Sequence, residues 1–472
     1  MEKELALRFE YTSRSTTSTQ TQQKDGHLHN AGQAPYTVNS TNRVDLMASG
    51  RLNLNESMAL APNPVADPGV RVPKARARDI VHLAEQAGDI LARAREAALA
   101  PGTKKVLRKF NLKEVAELIG VSAKTITRGV QRNELPAGER VRGNRLLFTL
   151  EEIHEIQERL GLRPWRDAAM DKAVVVAIAN FKGGVGKTST AIHLGQYFAL
   201  HGYRVLMIDL DAQASLTTLF GLLPDSEVAT EQTALPFLEG ETATLAAAIQ
   251  PTYWHGLDLI AANLALYGAE FSLANRQKAE PNFRFYQALK AGIASVSDRY
   301  DVIVIDTPPA LSYVTTNALY AADGIIVPVP PAMMDFASAS LFFSLLGDIQ
   351  KVIDENEGGE KVFDFLGLLI SKYEPGNFVH QTIHDWVRAA FQQRVLFHTM
   401  GTSTVLRMGP EIQTAYEVGA YQGDRRTLSR ALEYLEGVNG EIERLVRAQW
   451  PSKAAPRSVA KPERLATAEA VS

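Results

Sequence analysis

Short apolar runs alternate with longer stretches in which apolar residues recur every three or four positions, from about residue 173 to about residue 450. Runs rich in Val and Ile are typical of buried strands, and the three-to-four spacing is typical of helices packed on one face. The pattern therefore predicts an α/β domain, a parallel sheet with helices on both faces. The predicted strands are Val174–Ala179, Val205–Ile208, Leu257–Ala261, Val302–Ile305, Ile325–Val329, Phe365–Ile370 and Val395–Phe397.

A separate helical pattern precedes this domain between Lys74 and Leu99. Pro101 and Gly102 end it, because neither residue continues a helix well. Its apolar stripe needs a partner, which is either the following domain or the same helix of a second chain. We favour the second chain, so the helix is a candidate dimerisation element. The stripe consists of Ile80, Leu83, Ala84, Ala87, Ile90, Leu91 and Ala94.

The flanking segments have compositions that do not build a core. Residues 11–43 are dominated by Thr, Ser, Gln and Asn, four prolines follow between 61 and 73, and the last 22 residues are rich in Ala, Pro and Lys. Such segments are expected to be disordered or to act as linkers. The resulting division is 1–73 disordered or linker, 74–100 amphipathic helix, 101–165 small basic domain, 173–450 α/β domain and 451–472 flexible tail, with Arg166 to Lys172 as a connector.

The basic domain contains a short pattern from Phe110 to Ser122 that predicts a helix, a glycine turn and a second helix. Asn111 can cap the first helix with Glu114 as its capping-box partner, and Ser122 can cap the second. This arrangement indicates a helix-turn-helix, whose second helix enters the major groove of DNA. An ordinary small helical domain with a solvated charged face is the alternative. The residues expected at DNA are Ser122, Lys124, Thr125, Arg128, Arg142 and Arg145.

Two short strands around Gly143 and Asn144 would add a basic wing, and the whole domain then resembles a MerR-like winged helix. Residues 101–150 carry 11 Lys and Arg against 4 Asp and Glu, although the formal net charge of the chain is only −3. A polyanion is therefore a plausible partner for this segment rather than for the whole surface.

Composition excludes several classes of site. There is no cysteine, so disulfides, thiolate metal sites and cysteine nucleophiles are absent. No uninterrupted apolar run approaches the roughly 20 residues that a membrane span requires, and the polar N-terminal stretch does not look like a secretion signal. We expect a cytoplasmic protein.

The most informative motif runs from Phe181 to Thr188, with the sequence FKGGVGKT, between a predicted strand and a predicted helix. Glycines let backbone N–H groups turn inward around phosphate oxygens, and the N-terminus of the next helix points at the same anion. Lys187 should reach the β- and γ-phosphates and the Thr188 hydroxyl should hold Mg²⁺. An ordinary tight turn is the alternative for such glycines, but the flanking strand and helix disfavour it.

The motif departs from the common phosphate loop, because Phe181 occupies the first glycine position and a second lysine, Lys182, follows. In this deviant form it resembles the ParA/MinD family of ATPases. The resemblance implies ATP or ADP and Mg²⁺ as ligands, with nucleotide contacts from residues 182–189. It also implies that Lys182 crosses to the nucleotide of a partner subunit, and hence an ATP-bound sandwich homodimer. The residues concerned are Lys182, Gly183, Gly184, Val185, Gly186, Lys187, Thr188 and Ser189.

Two acids, Asp209 and Asp211, follow the second predicted strand and resemble the family's D-x-D-P-Q motif, with Ala212 in place of proline. Alternate residues at a strand end emerge on the same side of it. The resemblance makes Asp211 the residue that positions the attacking water and Asp209 a supporting residue. A pair of acids that merely caps the strand is the alternative.

A third acid, Asp306, ends the strand Val302–Ile305 and precedes Thr307 and two prolines. A buried strand that ends in an acid is the arrangement that holds Mg²⁺ in phosphate-loop ATPases. Further along, residues 322–330 resemble the segment near the adenine, so Pro330, Met333 and Asp335 are expected near the base, with plain loop packing as the alternative. The resemblance covers roughly residues 173–435.

Related families are less compatible with this chain. A nitrogenase-iron-protein-like reductase needs cysteine ligands, MinD-like ATPases end in an amphipathic membrane helix, and related tyrosine kinases end in a tyrosine cluster. Residues 451–472 contain four Lys and Arg, no bulky apolar face and no tyrosine. The chain therefore looks like a large ParA-type partition protein, which carries its DNA-binding domain ahead of the ATPase.

This resemblance implies a slow ATPase, cytoplasmic and nucleoid-associated, that is stimulated by DNA and a ParB-like partner. It implies operator binding through the winged helix in the ADP or apo state and non-specific DNA binding by the ATP dimer. Arg407 lies where the family places a basic residue for the latter, and Lys372, Arg388 and Arg394 are weaker candidates; an isolated arginine is often only a solvated charge. The alternative function is a nucleotide-regulated repressor of a replication or transfer operon without a cargo-moving role. The absence of a neighbouring gene for a ParB-like protein would favour this alternative.

Overall fold

The computed structural model of the chain describes residues 76–99, 105–143, 145–163, 165–402, 413–418 and 425–454, without the side chains of 91–99, 425 and 454. Its contacts divide the chain into two compact units with the boundary at Gly102. The expectations for residues 1–73, for Arg407 and for residues 455–472 fall outside the described residues, as does Asn144 at the tip of the wing.

The described part of the first unit is a single helix, α1 (Ala77–Leu99). The Asp79 carboxylate accepts a 2.6 Å hydrogen bond from the backbone N–H of Arg76 at its start. Among the described side chains of the expected stripe, Ile80 is 62%, Leu83 60% and Ile90 52% exposed. Within the described side chains of this helix the stripe is therefore not covered, and its role in dimerisation stays a prediction.

The second unit begins with the helix-turn-helix that the sequence predicted. Its elements are β1 (Phe110–Asn111), α2 (Leu112–Ile119), α3 (Ala123–Gln131), β2 (Glu139–Val141), β3 (Arg145–Phe148) and α4 (Leu150–Arg159). Asn111 and Glu114 form the expected capping box, and Ser122 caps α3 by accepting the Thr125 N–H. Gly120 ends α2 at φ 70°, in the left-handed region that glycine adopts without strain.

The wing is the β2–β3 hairpin, and β1 pairs with β3 on its other side to give a three-stranded antiparallel sheet in the order β1-β3-β2. Strand β1 was not predicted, because two residues are too few to show an alternating pattern. Phe148 and Ile126 are fully buried between this sheet and the helices. Truncating a buried Phe to Ala typically costs about 3–5 kcal/mol of stability, so Phe148 is a main contributor to the core beneath the wing.

The helix-turn-helix packs directly on the α/β domain, since one hydrophobic cluster runs through both. The stretch expected to be a connector is anchored as well. Arg166 is 4% exposed, and its guanidinium donates to Asp301 at 3.2 Å and to the backbone carbonyls of Asp171 and Asp298. This stretch is therefore fixed to the α/β domain.

The α/β domain is built on a seven-stranded sheet in the order β10-β9-β4-β8-β5-β7-β6. Its strands are β4 (Val174–Ile178), β5 (Val205–Asp209), β6 (Gln250–Pro251), β7 (Leu257–Ile260), β8 (Val302–Asp306), β9 (Gly324–Val329) and β10 (Phe365–Ile370). All pairings are parallel except that of the short edge strand β6 with β7. The prediction of a parallel sheet is confirmed for these strands.

Helices cover both faces of the sheet and close two hydrophobic clusters. They are α5 (Lys187–Leu200), α6 (Ser215–Leu219), α7 (Pro224–Glu227), α8 (Leu235–Glu239), α9 (Gly268–Ala279), α10 (Ala288–Ala294), α11 (Tyr313–Ala321), α12 (Met333–Glu357), α13 (Phe378–Phe391), α14 (Arg425–Ala448) and α15 (Pro451–Ala454). Single 3₁₀ turns occupy Thr230–Gln232, Leu245–Ala248, Leu264–Tyr267, Phe285–Gln287, Ser297–Arg299 and Gln392–Arg394.

One expectation needs correction. The run Val395–Phe397 is not a strand: only Val395 forms an isolated parallel bridge, with Leu368, and Phe397 is 77% exposed. Among the described residues, α12 has the length and composition that would allow a helix to cross a membrane. Its Phe342 and Leu346 belong to the hydrophobic cluster of the domain, whereas Met334 and Leu341 on the same helix are 75% and 59% exposed.

Candidate nucleotide site and DNA-binding surface

The phosphate loop connects β4 to α5 at the carboxyl edge of the sheet, next to the topological switch between β8 and β9. Ligands of open α/β sheets bind at this edge. Gly184 and Gly186 adopt φ 72° and 100°, a region in which a side chain would be strained. These two glycines let the loop turn its N–H groups toward the start of α5, which forms an anion site with the helix N-terminus.

Lys187 is the first residue of α5 and is almost completely buried. Its ammonium donates to the Lys182 carbonyl at 3.1 Å. Burial lowers the pKa of Lys187, while the negative charges of Asp306 and Asp211 act in the opposite direction. A buried ammonium with two acids nearby is well placed to bind a phosphate that brings Mg²⁺ with it.

Lys182 lies half-buried beside the loop, and its Nζ is 2.8 Å from the Asp335 carboxylate in the first turn of α12. The structure therefore brings together two residues that the sequence assigned to different parts of the nucleotide. Asp335 contacts the second loop lysine, and the expectation that it faces the base has no support from this contact. Phe181 packs on Phe342 of the same helix, with ring centroids 4.6 Å apart, so it anchors the loop to α12.

The sheet register places the acids side by side. Asp209 ends β5 and is the cross-strand partner of Asp306, which ends β8. Both are fully buried. Asp209 accepts hydrogen bonds from the Asp211 N–H at 3.1 Å and from the N–H and hydroxyl of Thr217 at 2.9 and 2.7 Å. Burial raises the pKa of Asp209, although these hydrogen bonds act to lower it.

Asp209 therefore organises the chain around the second acid. Thr217 lies in α6, and its hydroxyl accepts the Ala262 N–H at 2.8 Å after β7, so the carboxylate ties β5, α6 and β7 together. Asp211 is partly exposed, and its carboxylate accepts the Gln213 N–H at 3.0 Å. Of the two acids, Asp211 is the one accessible to a water molecule.

Among the acids of the site, Asp306 makes the fewest hydrogen bonds through its carboxylate. Among the described residues neither of its carboxylate oxygens has a hydrogen-bond partner, although both are buried. Burial, followed by the negative charge of Asp209, raises the pKa of Asp306 well above its ordinary value, whereas the Thr188 hydroxyl and then the charge of Lys187 oppose this shift. Buried oxygens without partners need an explanation such as an ion. The carboxylate, with the Thr188 hydroxyl in the adjacent loop, fits the oxygen ligands that Mg²⁺ prefers.

A cavity of about 580 Å³ opens beside the phosphate loop. The expected residue Pro330 and the loop residues Gly186 and Ser189 line it, whereas Met333 is 53% exposed on α12. Lys372, expected elsewhere, also lines it, and so do residues that the sequence did not single out, among them His193, Ser371, Glu374, His380 and Thr402. Most of them follow β10, and their position after a strand at the carboxyl edge is the signal that could have identified them.

Lys372 was expected as a weak DNA contact, but its ammonium donates to the Gly184 carbonyl of the phosphate loop. Its backbone has φ 54°, unusual for a residue with a side chain. The adjacent Ser371 hydroxyl donates to the Val185 carbonyl at 2.8 Å. Arg388 donates to the carbonyls of Leu396 and Phe397. These contacts assign Lys372 to the loop and give Arg388 a structural role.

The side chains that were expected to contact DNA from the basic domain fall into two groups, because some take part in a helix cap and others are exposed. The hydroxyls of Ser122 and Thr125 are 2.8 Å apart and take part in the cap of α3. Lys124 and Arg128 are exposed on α3, and Arg142 and Arg145 are exposed at the two ends of the wing turn. The recognition helix and the wing thus present positive charge, which suits a phosphate backbone.

Comparisons with known proteins agree with both parts of the chain. A family model described as an AAA domain matches residues 173–357, and one described as a helix-turn-helix domain matches residues 110–161. A relative from Sinorhizobium fredii (strain NBRC 101917 / NGR234), provisionally named replication protein A, is 36% identical over 75% of this chain and 89% of its own length.

Of two further relatives, one carries a partition name. Protein SopA of Escherichia coli (strain K12) is 33% identical over 74% of this chain and 92% of its own length. The chromosome partitioning protein ParA of Caulobacter vibrioides (strain NA1000 / CB15N) is 35% identical over 47% of this chain and 78% of its own length. A solved structure titled "Partition Protein" has the same fold, with a TM-score of 0.57 at 22% identity over 78% of this chain and 99% of that chain.

The partnerless oxygens of Asp306 lead to a prediction about stability and Mg²⁺. Because its folded-state pKa is raised, the ionised carboxylate destabilises the protein above the pKa of the unfolded chain. Asp306→Asn should therefore raise the thermal unfolding midpoint at neutral pH in EDTA, and should abolish the further rise that MgATP gives the unsubstituted protein. Differential scanning calorimetry measures both.

Asp225→Asn, at an exposed acid of α7, is the matched control and should change neither value. An Asp306→Asn variant that is still stabilised by Mg²⁺ together with ATP as strongly as the unsubstituted protein would exclude Asp306 from the metal site.

Proposed function

The chain belongs to the ParA-type family of partition ATPases, and we propose that it segregates DNA through a nucleotide-controlled homodimer with two separate DNA-binding activities. The observation that carries this proposal is that the phosphate loop, Asp306 and Asp209 lie at the ends of the neighbouring strands β4, β8 and β5, in that order. A DNA-binding domain packed on the same unit adds the second activity.

The phosphate loop would bind the nucleotide through its backbone. The N–H groups from Gly183 to Thr188 would surround the phosphates, and the Lys187 ammonium, which donates to the Lys182 carbonyl in this structure, would bind the β- and γ-oxygens. Thr188 and Asp306 would hold Mg²⁺, which neutralises charge that develops on the transferred phosphoryl group. Pro330 and the residues around the 580 Å³ cavity have the position for the nucleoside.

Hydrolysis requires a water molecule in line with the bond that breaks. Asp211 is the accessible acid of the pair, and the Asp209 carboxylate fixes its backbone N–H. We assign water positioning to Asp211 and a supporting role to Asp209. None of the described residues that line the cavity is an arginine, and an arginine finger can contribute about 10³–10⁵ in rate. Turnover should thus be slow until DNA and a ParB-like partner stimulate it.

Lys182 is the residue proposed to act across the dimer. In the single chain it is held by Asp335 at 2.8 Å, and an ion pair that is partly exposed is weak, typically about 0.2–1 kcal/mol. The lysine can therefore leave Asp335 when a partner's triphosphate offers a larger negative charge. This makes formation of the sandwich dimer dependent on ATP.

The two DNA activities are assigned to different surfaces. The winged helix would bind an operator as a dimer, with Lys124 and Arg128 at the base edges and Arg142 or Arg145 at phosphates or the minor groove. The ATP dimer would bind nucleoid DNA without sequence preference through a salt-sensitive contact, which also gives a cytoplasmic, nucleoid-associated location. Repression in the ADP or apo state follows from the family.

A repressor without a cargo-moving role is not favoured, because the Caulobacter relative, which the chain matches over 78% of that relative's length, carries a chromosome-partitioning name. The name of the Sinorhizobium relative points to a replication region, which is compatible with a partition protein that serves a replicon.

Asp211→Ala should bind ATP, dimerise and bind DNA, but lose most of its hydrolysis, because the water-positioning carboxylate is gone. Phosphate release with saturating DNA and partner measures this. Asp209→Ala should instead unfold at lower temperature, since it leaves the Thr217 N–H and hydroxyl without their acceptor. If only the Asp209 variant is folded and inactive, the two roles are reversed.

Lys182→Gln should bind nucleotide but not dimerise on it, because its charge is needed only across the interface. Analytical ultracentrifugation with a non-hydrolysable ATP analogue separates the two states. Lys351→Gln removes the same charge from an exposed position on α12 and should dimerise normally. An ATP-dependent dimer of the Lys182 variant would argue against the cross-subunit role.

Arg128→Ala should remove the operator footprint and leave ATP-dependent binding to random DNA intact, since a base-reading pair is worth about 1–3 kcal/mol of discrimination. Footprinting and filter binding report the two activities separately, and Arg299→Ala, at an exposed arginine of the α/β domain, is the control. Deleting residues 1–165 is a less clean test, because it uncovers the surface that packs on the α/β domain. Loss of both activities in a folded, nucleotide-bound Arg128 variant would contradict the two-surface model.

A further inference from the structure

We propose that Lys105 is the coupling residue that transmits the nucleotide state of the ATPase domain to the winged helix. The inference rests on the proposed function, in which nucleotide selects between operator binding and nucleoid binding, and it names the contact through which that selection passes. Lys105 lies five residues ahead of β1, at the entry to the helix-turn-helix domain.

The Lys105 ammonium is buried and saturated. Its side chain is 8% exposed, and its Nζ donates to the Leu219 carbonyl at 2.8 Å, the Tyr253 hydroxyl at 3.2 Å and the Glu417 carboxylate at 3.1 Å. An ammonium has three protons, so each has an acceptor. Burial lowers the pKa of Lys105, and the charge and hydrogen bond of Glu417 oppose this. A surface lysine would have none of these constraints.

One acceptor leads to the acid loop of the nucleotide site. Leu219 is the last residue of α6, and its carbonyl is one of those that a helix end leaves without an internal partner. Thr217 in the same helix donates twice to Asp209, whose other oxygen accepts the Asp211 N–H. A movement of the Asp211 loop on nucleotide binding or hydrolysis would therefore move α6 and the Leu219 carbonyl.

A second acceptor leads to the helix that follows the phosphate loop. Glu417 also accepts hydrogen bonds from Gln196 of α5 at 3.2 Å and from the Thr414 N–H at 2.8 Å within its own turn. In the same turn the Ala415 N–H donates to His193 at 3.3 Å, and the other ring nitrogen of His193 donates to the Ser189 carbonyl at 2.7 Å. The turn is thus attached to α5 near its phosphate end.

On the DNA side, Lys105 is linked to the elements that present the basic surface. Arg108, three residues later, donates to the Tyr416 carbonyl at 3.3 Å and to Glu114 at 3.0 Å. Glu114 is the capping-box residue of α2. The next residues form β1, which pairs with strand β3 of the wing. A shift of residues 105–108 would therefore reach both the helix pair and the wing.

The free-energy cost of breaking the Lys105 hydrogen bonds favours a joint movement of the connected elements over a local loss of these contacts. A buried charged group that loses its hydrogen-bond acceptors destabilises the protein several times more than an exposed group does. We therefore expect α6, the Thr414–Glu417 turn and the segment that carries Lys105 to move together. The domains stay docked by other contacts, because His154 of α4 donates to the Ala199 carbonyl at 2.7 Å at the far end of α5. Removing the Lys105 charge should consequently uncouple the domains without separating them.

The test compares Lys105→Met, which keeps the length of the side chain, with the unsubstituted protein and with Lys278→Met at an exposed lysine of α9. The DNA probe is a duplex selected by the unsubstituted protein from a randomised library. Its affinity is measured with ADP and with a non-hydrolysable ATP analogue, both with Mg²⁺. The ratio of the two affinities is the coupling factor, typically about 5–150 for allosteric proteins.

In Lys105→Met the ratio should fall to within about twofold of one, while ATP affinity and basal hydrolysis change by less than about threefold. Lys278→Met should keep the original ratio. If Lys105→Met does not fold by circular dichroism, the double variant Lys105→Met with Glu417→Gln removes both buried charges and should be folded and uncoupled.

A folded variant that keeps the full ratio would overturn the role of Lys105 and leave the proposed function standing. If the unsubstituted protein itself gives a ratio of one, there is no coupling to transmit, and the inference fails together with the nucleotide-selected part of the proposed function. Partition activity and ATP-dependent binding to random DNA would then still test the remainder of that function.

Discussion

The structure depends on two carboxylates that are buried side by side at the ends of adjacent parallel strands. Asp209 satisfies its charge within the protein, through Thr217 and the Asp211 N–H, whereas neither oxygen of Asp306 has a partner among the described residues. The negative charge of Asp209 adds to burial in raising the pKa of Asp306. Both carboxylates can be ionised together only when positive charge is near. Lys187 supplies part of this positive charge, and a metal ion would supply the rest.

That requirement explains why the neighbouring elements are so heavily tied together. The phosphate loop brings Lys187 to the acids, α12 holds the loop through Phe181 and the Lys182–Asp335 pair, and residues after β10 bond two loop carbonyls. Each element contributes a polar group that has no role in a simple hydrophobic core. A site built in this way responds as a unit to the charge that a nucleotide adds.

Helix α5 extends this unit to the DNA-binding domain. Its 14 residues span about 21 Å, with the phosphate site at one end and side chains of the winged helix at the other. There the Trp165 indole donates to the His201 carbonyl at 2.7 Å and His154 donates to the Ala199 carbonyl. Burial lowers the pKa of His154 to about 3, so the ring is neutral at physiological pH and this contact does not change with protonation. Both domains therefore share one rigid element.

The sequence by itself determined the parallel sheet, the phosphate loop, the three acids and the capped helix pair of the winged helix, because each depends on local periodicity or on residues adjacent in the chain. Only the tertiary structure decided that Lys372 serves the loop, that Asp335 holds Lys182, that Val395–Phe397 is not a strand and that the domains are packed together. Those outcomes depend on groups far apart in the sequence, such as Lys105 and Glu417, 312 residues apart. Such contacts are set by how strands order in the sheet and which polar groups are buried together, and no local pattern records either.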